Sequence, residues 1–128
     1  MLPDKAQLTL WDNLDADAIV DRSAAELPEP ACFTCSFQAE DVAVLHLLLQ
    51  RNPAIPVLFL ETGYHFPETL AYRDKLAREW NLNLVNLQAE MSVAEQESQF
   101  GILNRTNPTR CCEIRKVGPL WEGLRHYK

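Results

Sequence analysis

The chain has 128 residues, of which 47% are hydrophobic and 23% charged, and its formal net charge is −6. This length suits one domain with a modest core, and the composition is that of an ordinary globular protein. There is no apolar run of the ~18 residues that a membrane span needs, and no basic start followed by an apolar stretch, so we expect neither a membrane protein nor a secreted one. In a chain that stays in the cytoplasm, four cysteines indicate metal or redox chemistry rather than disulfides.

The first half of the chain alternates helical and strand-like patterns. Asp12, Asn13 and Asp15 are suitable helix caps, and Asn52-Pro53 is a stop signal. The pattern predicts a helix over 12–27, a buried strand over 31–36, a helix over 41–51 and a buried strand over 55–60.

The second half continues the alternation. Pro67 stands at a favoured helix start, and Ser92 with Glu95 forms a possible capping box. The pattern predicts a helix over 67–80, a strand over 83–87, a helix from 92, a loop over 101–108 and a last helix over 110–124 that Gly118-Pro119 could break.

Alternating strands and helices predict an α/β fold with a parallel sheet and helices on both faces. Ligands of such sheets bind beyond the carboxyl ends of the strands. This singles out the loops over 36–41 and 61–66, each of which follows a predicted strand.

Neither loop is decisive by itself. The first, S-F-Q-A-E-D, has the strand-to-helix position that suits a phosphate, but Glu40 and Asp41 could instead cap the helix. The second, E-T-G-Y-H-F-P-E-T, could hold a nucleoside or form a polar turn. Residues 110–128 carry a local charge of +3, which fits a small-anion site or a solvated helix face but not a nucleic-acid coat.

Taken in order, these two loops and the segment N-P-T-R-C-C-E-I-R-K-V-G-P-L resemble the adenylyl-sulfate and phosphoadenylyl-sulfate reductase family over residues 10–125. The resemblance implies an adenine-nucleotide α-hydrolase-like (PP-loop) fold. It also implies an oxidoreductase of sulfate assimilation, in which a thiol attacks the sulfur of an activated sulfate and thioredoxin reduces the thiosulfonate. The products are sulfite and AMP or its 3′-phosphate.

By the same resemblance, the substrate-binding residues fall into three groups. The phosphate-region loop comprises Ser36, Phe37, Gln38, Ala39, Glu40 and Asp41. The adenosine-site loop comprises Leu60, Glu61, Thr62, Gly63 and His65, with Glu61 standing where the family usually has Asp. The basic pair is Arg115 and Lys116, of which Lys116 approaches the phosphosulfate.

The adjacent Cys111 and Cys112 resemble the mark of the family branch that carries a 4Fe-4S cluster. The resemblance implies that they supply two of its four ligands, and that the cations beside them stabilise thiolate and cluster charge. The alternative is two small apolar side chains in a helix. Cys32 and Cys35 lie at i and i+3 of a predicted strand, so we expect opposite faces and core packing rather than ligation.

The family's later Cys-x-x-Cys and its catalytic-cysteine tail do not occur in this sequence. We therefore expect residues 1–128 to form a single nucleotide-binding domain, incomplete at its C-terminus, with no catalytic residue and no activity alone. A homo-oligomer is a further expectation. Two alternatives stay open, a stand-alone adenine-nucleotide-binding remnant and an ATP pyrophosphatase-type adenylating enzyme, although the latter prefers a glycine-rich loop that S-F-Q-A-E-D lacks.

Overall fold

The structure is a computed structural model that describes residues 4–128. The strands are β1 (Phe33–Thr34), β2 (Pro56–Glu61) and β3 (Asn83–Gln88). The helices are α1 (Lys5–Trp11), α2 (Ala16–Glu26), α3 (Ala39–Arg51), α4 (Pro67–Glu79), α5 (Val93–Phe100), α6 (Leu103–Thr106), α7 (Pro108–Cys112) and α8 (Gly118–Leu124). A π-helical turn, Glu113–Val117, joins α7 to α8.

The sheet has the order β1-β2-β3, and both strand pairs are parallel. Val57 is paired with Phe33 on one side and with Leu84 on the other, so these three side chains share one face of the sheet. The predicted α/β class with a parallel sheet is therefore confirmed, and the carboxyl ends of all three strands lie at one edge.

One face of the sheet is closed by α3 and α4. Val57 and Phe59 of β2 pack with Leu45 of α3 and Leu76 of α4 in a single buried cluster. Side chains alternate between the two faces of a strand, so the odd-numbered residues of β2 point to this face.

The opposite face is covered by α8, which contacts β2 and β3. A Cβ atom built on Gly123 would lie 2.7 Å from Leu87 Cδ1, so a larger residue here would require the Leu87 side chain to move. Helices on both faces are thus present, as predicted. Within residues 4–128, no helix combines the length and apolar content needed to cross a membrane.

Two predicted elements in the first half are longer than the observed ones. The helix predicted over 12–27 begins at Ala16, after an N-cap in which Asp15 accepts the Ala18 N–H at 2.8 Å. The strand predicted over 31–36 shortens to two residues. Cys35 N–H still donates to the Leu58 carbonyl, but Phe37 takes a φ of 61° and turns the chain out of the sheet.

The second half follows its prediction except between residues 101 and 110. The capping box of Ser92 and Glu95 forms, and the last helix passes Gly118-Pro119 without a break. The predicted loop instead contains α6 and the start of α7, where Asn107 accepts the Arg110 N–H at 3.2 Å. Glycine, asparagine and proline act here as caps of short helices rather than as loop residues. The helix α1 was not predicted.

Candidate functional site

Two neighbouring cavities open beside the carboxyl ends of β1 and β2. The first, here called the cysteine cavity, measures about 260 Å³ and is lined by Thr62, Tyr64, His65, Asn104, Pro108, Cys111, Cys112, Arg115 and Lys116. The second, the strand-end cavity, measures about 340 Å³ and is lined by Thr34, Cys35, Ser36, Asp41, Leu58, Phe59, Leu60, Thr62, His65, Lys116 and Leu120. The predicted parallel sheet thus has its cavities where such sheets bind ligands.

Lys116 is the cation that borders both cavities, together with Thr62 and His65. Its side chain is exposed, and it belongs to the π-helical turn that follows the cysteine pair. An anion in either cavity would therefore meet the same ammonium group.

Two residues of the first predicted loop form hydrogen bonds with each other. Asp41 Oδ2 accepts both the Ser36 N–H at 2.8 Å and the Ser36 hydroxyl at 2.6 Å. These are two of the donors that a phosphate would use, so a phosphate at this loop competes with the Asp41 carboxylate. Of the six predicted loop residues, Ser36 and Asp41 line the strand-end cavity.

Phe37 lies in the core rather than at the cavity surface. It is 6% exposed and stacks edge-on against Phe59, with ring centroids 5.7 Å apart. Gln38, Ala39 and Glu40 are exposed at the start of α3, outside the lining of both cavities. A ligand contact by these residues stays a prediction, and for Phe37 it would have to involve the backbone.

The second predicted loop presents His65 and Thr62 to the cavities. His65 Nε2 lies 2.8 Å from the Leu60 carbonyl oxygen, and its ring packs on Phe59 at 4.9 Å. Since a carbonyl only accepts, Nε2 carries the proton in this contact. In the neutral ring, Nδ1 is then the acceptor.

Glu61 points away from both cavities. Its carboxylate pairs with Arg73 at 3.1 Å and accepts the Gly63 N–H at 3.1 Å, while the Arg73 guanidinium lies 5.0 Å from the Phe59 ring centroid. Glu61 thus fixes the turn after β2 and ties it to α4.

Gly63 cannot be replaced without moving the structure. Its φ is 81°, and a Cβ atom there would lie 2.5 Å from Val93 Cγ2. This close approach brings the second loop against the start of α5. The glycine therefore serves the shape of the site, and a ligand contact by Gly63 stays a prediction.

Arg115 is a buried cation bonded to neutral oxygens. It is 5% exposed, and it donates to the Thr62 and Met91 carbonyls at 2.6 Å each and to Gln96 Oε1 at 3.5 Å. These contacts join the loop after β2 to the segment before α5 and to α5 itself. The predicted substrate residue Arg115 does line the cysteine cavity, but its donors are largely used within the protein.

Gln96 connects Arg115 to Cys111. It is 0% exposed, and its Nε2 lies 3.6 Å from Cys111 Sγ. Because a guanidinium only donates, the amide oxygen must face Arg115 and the amide N–H groups must face the sulfur. Cys111 Sγ is therefore the acceptor in this contact.

Both adjacent cysteines border the cysteine cavity, Cys111 from a buried position and Cys112 from an exposed one. A joint role of the two thiols as ligands of one inorganic group stays a prediction. Across the described residues, no cluster of three or more cysteine, histidine or acidic side chains is arranged to hold a metal ion.

The other two cysteines flank β1. Cys35 belongs to the core cluster, as predicted, and burial raises the pKa of its thiol to about 11. Cys32 is half-buried, and burial raises its pKa as well. Both thiols are thus poor nucleophiles and ligands at neutral pH.

Several lining residues were not found from the sequence. Tyr64 belongs to a loop that was singled out, and its hydroxyl donates to Glu97 at 3.1 Å. Pro108 and Leu120 lie within the segment N-P-T-R-C-C-E-I-R-K-V-G-P-L but were not singled out there, and Asn104 lies in the predicted loop, where no local pattern marks a site. Gln96 sits in a polar helix and gives no sign of its complete burial.

A parallel α/β sheet with cavities at its carboxyl edge is the general arrangement of a ligand-binding α/β domain. Residues 30–128 match the phosphoadenosine phosphosulfate reductase domain family, and the chain belongs to this family.

Curated relatives agree with the family match. The chain is 43% identical over 97 residues to an adenosine 5′-phosphosulfate reductase of Rhodococcus opacus, a match that covers 75% of this chain and 39% of the relative. It is 39% identical over 120 residues to a phosphoadenosine 5′-phosphosulfate reductase of Gloeobacter violaceus, covering 92% of this chain and 50% of the relative. The chain thus spans about half the length of these relatives, or less.

A solved structure agrees with the fold. The phosphoadenylyl-sulfate reductase from Candida auris superposes with a TM-score of 0.83 at 17% identity, covering 98% of this chain and 64% of that one. The fold is the adenine-nucleotide α-hydrolase-like (PP-loop) fold that the sequence predicts.

Proposed function

We propose that this chain is the nucleotide-binding, N-terminal part of a reductase that acts on adenylyl sulfate or phosphoadenylyl sulfate. Such an enzyme releases sulfite and AMP or its 3′-phosphate in the cytoplasm, with thioredoxin as the reductant. The observation that carries the proposal is Lys116, an exposed cation that borders two adjoining cavities at the carboxyl edge of the sheet.

The strand-end cavity offers the two surfaces that a nucleotide needs. Leu58, Leu60 and Leu120 give it an apolar wall for a base, and Lys116 supplies a positive charge for the phosphate end. We assign the phosphate contact mainly to Lys116, because Asp41 already holds the Ser36 donors.

We assign no nucleophile in this chain. Burial raises the pKa of Cys35 to about 11, so little of it is thiolate at neutral pH. Cys111 is buried against Gln96. The isolated chain is therefore expected to bind nucleotide without releasing sulfite.

We further propose that the chain belongs to the iron-sulfur branch. Cys111 and Cys112 would hold one side of a 4Fe-4S cluster, which when bound would place a charged, redox-active inorganic group beside the anion site. Support comes from the shared cavity of the two sulfurs and from Gln96, whose N–H groups face Cys111.

Self-association is proposed from the surface. Leu10, Phe66 and Trp121 are 67%, 75% and 69% exposed, so these large apolar side chains are available for contact with a second copy of the chain. A single sharp monomer boundary in sedimentation velocity at high protein concentration would contradict a homo-oligomer.

Nucleotide binding is tested by calorimetry with AMP and with adenylyl sulfate. We expect weak binding by the wild-type chain and about tenfold weaker binding by Lys116→Ala, the loss of one charge-assisted hydrogen bond. Absence of heat from a chain whose circular dichroism shows an intact fold would refute the proposal.

The cluster proposal is tested by anaerobic reconstitution with iron and sulfide. Two thiolates are half of the usual four ligands, so we expect this chain alone to retain no stable cluster. About four irons per chain after desalting, with a thiolate-to-iron absorption band, would show that the assignment of ligands is incomplete. Cys32→Ser would then test whether the cysteines around β1 contribute.

A further inference from the structure

The cysteine pair and the sheet-packing residues of α8 belong to one continuous helical rod. The part facing the cysteine cavity, here called the cavity face, consists of Cys111, Cys112, Arg115 and Lys116. The part facing the sheet, here called the sheet face, consists of Leu120, beside the β2 side chains, and Gly123, against Leu87. Both faces must point to the same side of the rod, because the cavities and the sheet lie there.

In a regular α-helix, the cavity face and the sheet face would not point to the same side. Each residue turns an α-helix by about 100°. On that spacing the mean direction of the sheet face lies roughly 80° from the mean direction of the cavity face. A turn that absorbs one additional residue removes about 100° and brings the two faces within roughly 20°.

The π-helical turn between α7 and α8 accommodates that additional residue. Gly118 N–H donates to the Glu113 carbonyl, five residues back instead of four. The turn contains Arg115 and Lys116 and precedes Leu120 and Gly123, so the protein packs α8 on the sheet and still directs the two cations towards the cavities.

Pro119 explains why the wide turn forms here. It has no N–H for the Arg115 carbonyl, and in α geometry its ring would collide with that carbonyl. Gly118 is adapted to the same turn, since a Cβ atom there would lie 3.3 Å from the Glu113 oxygen.

We infer that Pro119 is a positioning residue for anion binding: it enforces the π-helical turn that aligns Lys116 with the cavities while α8 stays packed on β3. The inference rests on the proposed nucleotide site for its functional consequence, but the turn itself is a property of the chain alone. Pro119 needs no contact with the ligand.

The test compares Pro119→Ala with Pro67→Ala. Pro67 stands at the first position of α4, where no hydrogen bond is lost, and serves as the matched control. Alanine at 119 restores an N–H to the helix, and circular dichroism checks that the variant stays folded. Hydrogen-bond scalar couplings measured by NMR identify the acceptor of Gly118 N–H in each variant.

We expect Gly118 N–H in Pro119→Ala to change its acceptor from Glu113 to Ile114. We expect AMP affinity to fall on the order of tenfold, comparable to Lys116→Ala, with no further loss in the double variant. Pro67→Ala should change neither property. If Pro119 acts by positioning Lys116, its replacement lowers AMP affinity only while Lys116 is present. General damage to the fold would lower the affinity in both backgrounds.

Three results would overturn the inference. These are a Glu113 acceptor that persists in Pro119→Ala, an unchanged AMP affinity after the acceptor has moved, and an equal loss of affinity in the Lys116→Ala background. If the wild-type chain binds no AMP, the proposed function fails. The coupling measurement then decides the claim about the turn by itself.

Discussion

Two regions of the protein exclude water by different means. One is the sheet face under α3 and α4, here called the apolar face, and the other is the pair Gln96 and Arg115 beside α5 and α7, here called the polar wall. Under α3, the closed surface is made of Leu45, Val57 and Phe59, which are 0%, 0% and 1% exposed. Beside α5 it is made of Gln96 and Arg115, at 0% and 5% exposed. The first region depends on apolar area, which has no direction, and the second on hydrogen bonds, which fix direction as well as distance.

The difference has a consequence for the site. Apolar packing tolerates small rotations, whereas the contacts of Arg115 with Thr62, Met91 and Gln96 specify where the second loop and α5 lie relative to the cysteine pair. The polar wall is therefore the part that defines the cavities, and the apolar face is the part that stabilises the domain.

The largest expected effect comes from the apolar face. Leu45→Ala should lower the free energy of unfolding by about 4 kcal/mol, because it removes a fully buried side chain and leaves a cavity. Val44→Ala, on the same helix at an exposed position, should change it by only about 0.5 kcal/mol. Urea unfolding measures both, and equal losses would contradict the assignment of the core.

The polar wall gives the next largest effect. Arg115→Met should cost about 3 kcal/mol, since it leaves buried carbonyl oxygens without donors. Arg110→Met, which removes only an exposed pair with Glu113, should cost less than about 1 kcal/mol. If the two variants unfold at the same urea concentration, Arg115 does not support the wall.

A third prediction separates binding from stability. Lys116→Ala should leave the free energy of unfolding unchanged and weaken AMP binding about tenfold, because the side chain is exposed and only borders the cavities. Lys75→Ala removes an equal charge from an exposed position on α4 and controls for net charge. Similar losses of affinity in both would indicate a general electrostatic effect rather than a site.

A fourth prediction concerns pH and the apolar face. The pKa of Cys35 is about 11 in the folded chain, against 9.0 for an unperturbed thiol. The resulting stability is complete below pH 9 and is lost as the pH rises towards 11, because the unfolded chain releases the proton first. In the Cys35→Ala variant, the free energy of unfolding should therefore decrease less steeply between pH 9 and pH 11 than in the wild-type chain. Equal slopes in the two chains would show that the thiol is not buried.

The sequence predicts the apolar face well and the polar wall poorly. The strands β2 and β3 and the helices α3 and α4 follow from apolar runs and stop signals, because burial of an element in the core leaves an apolar pattern in the sequence. The parallel sheet and the position of the cavities follow from the order of these elements.

The polar wall leaves no such apolar pattern. Arg115 lies in the most basic stretch, which suggests exposure, yet its guanidinium is enclosed by carbonyls from segments more than twenty residues away. The shortening of β1 has a similar origin, since the positive φ of Phe37 is a tertiary feature that the residue type does not indicate. Gly118-Pro119 was a possible break, and the extra residue of the π-helical turn explains why the helix continues.

The most direct test of the account is a titration of the isotope-labelled chain with AMP, followed by NMR. The account predicts concentration-dependent shifts at Leu60, His65 and Lys116, with the signals of the apolar face unchanged. Shifts confined to the surface around Glu90, Glu113 and Glu122, which line a separate cavity of about 390 Å³, would contradict it. So would the absence of any shift in a folded chain.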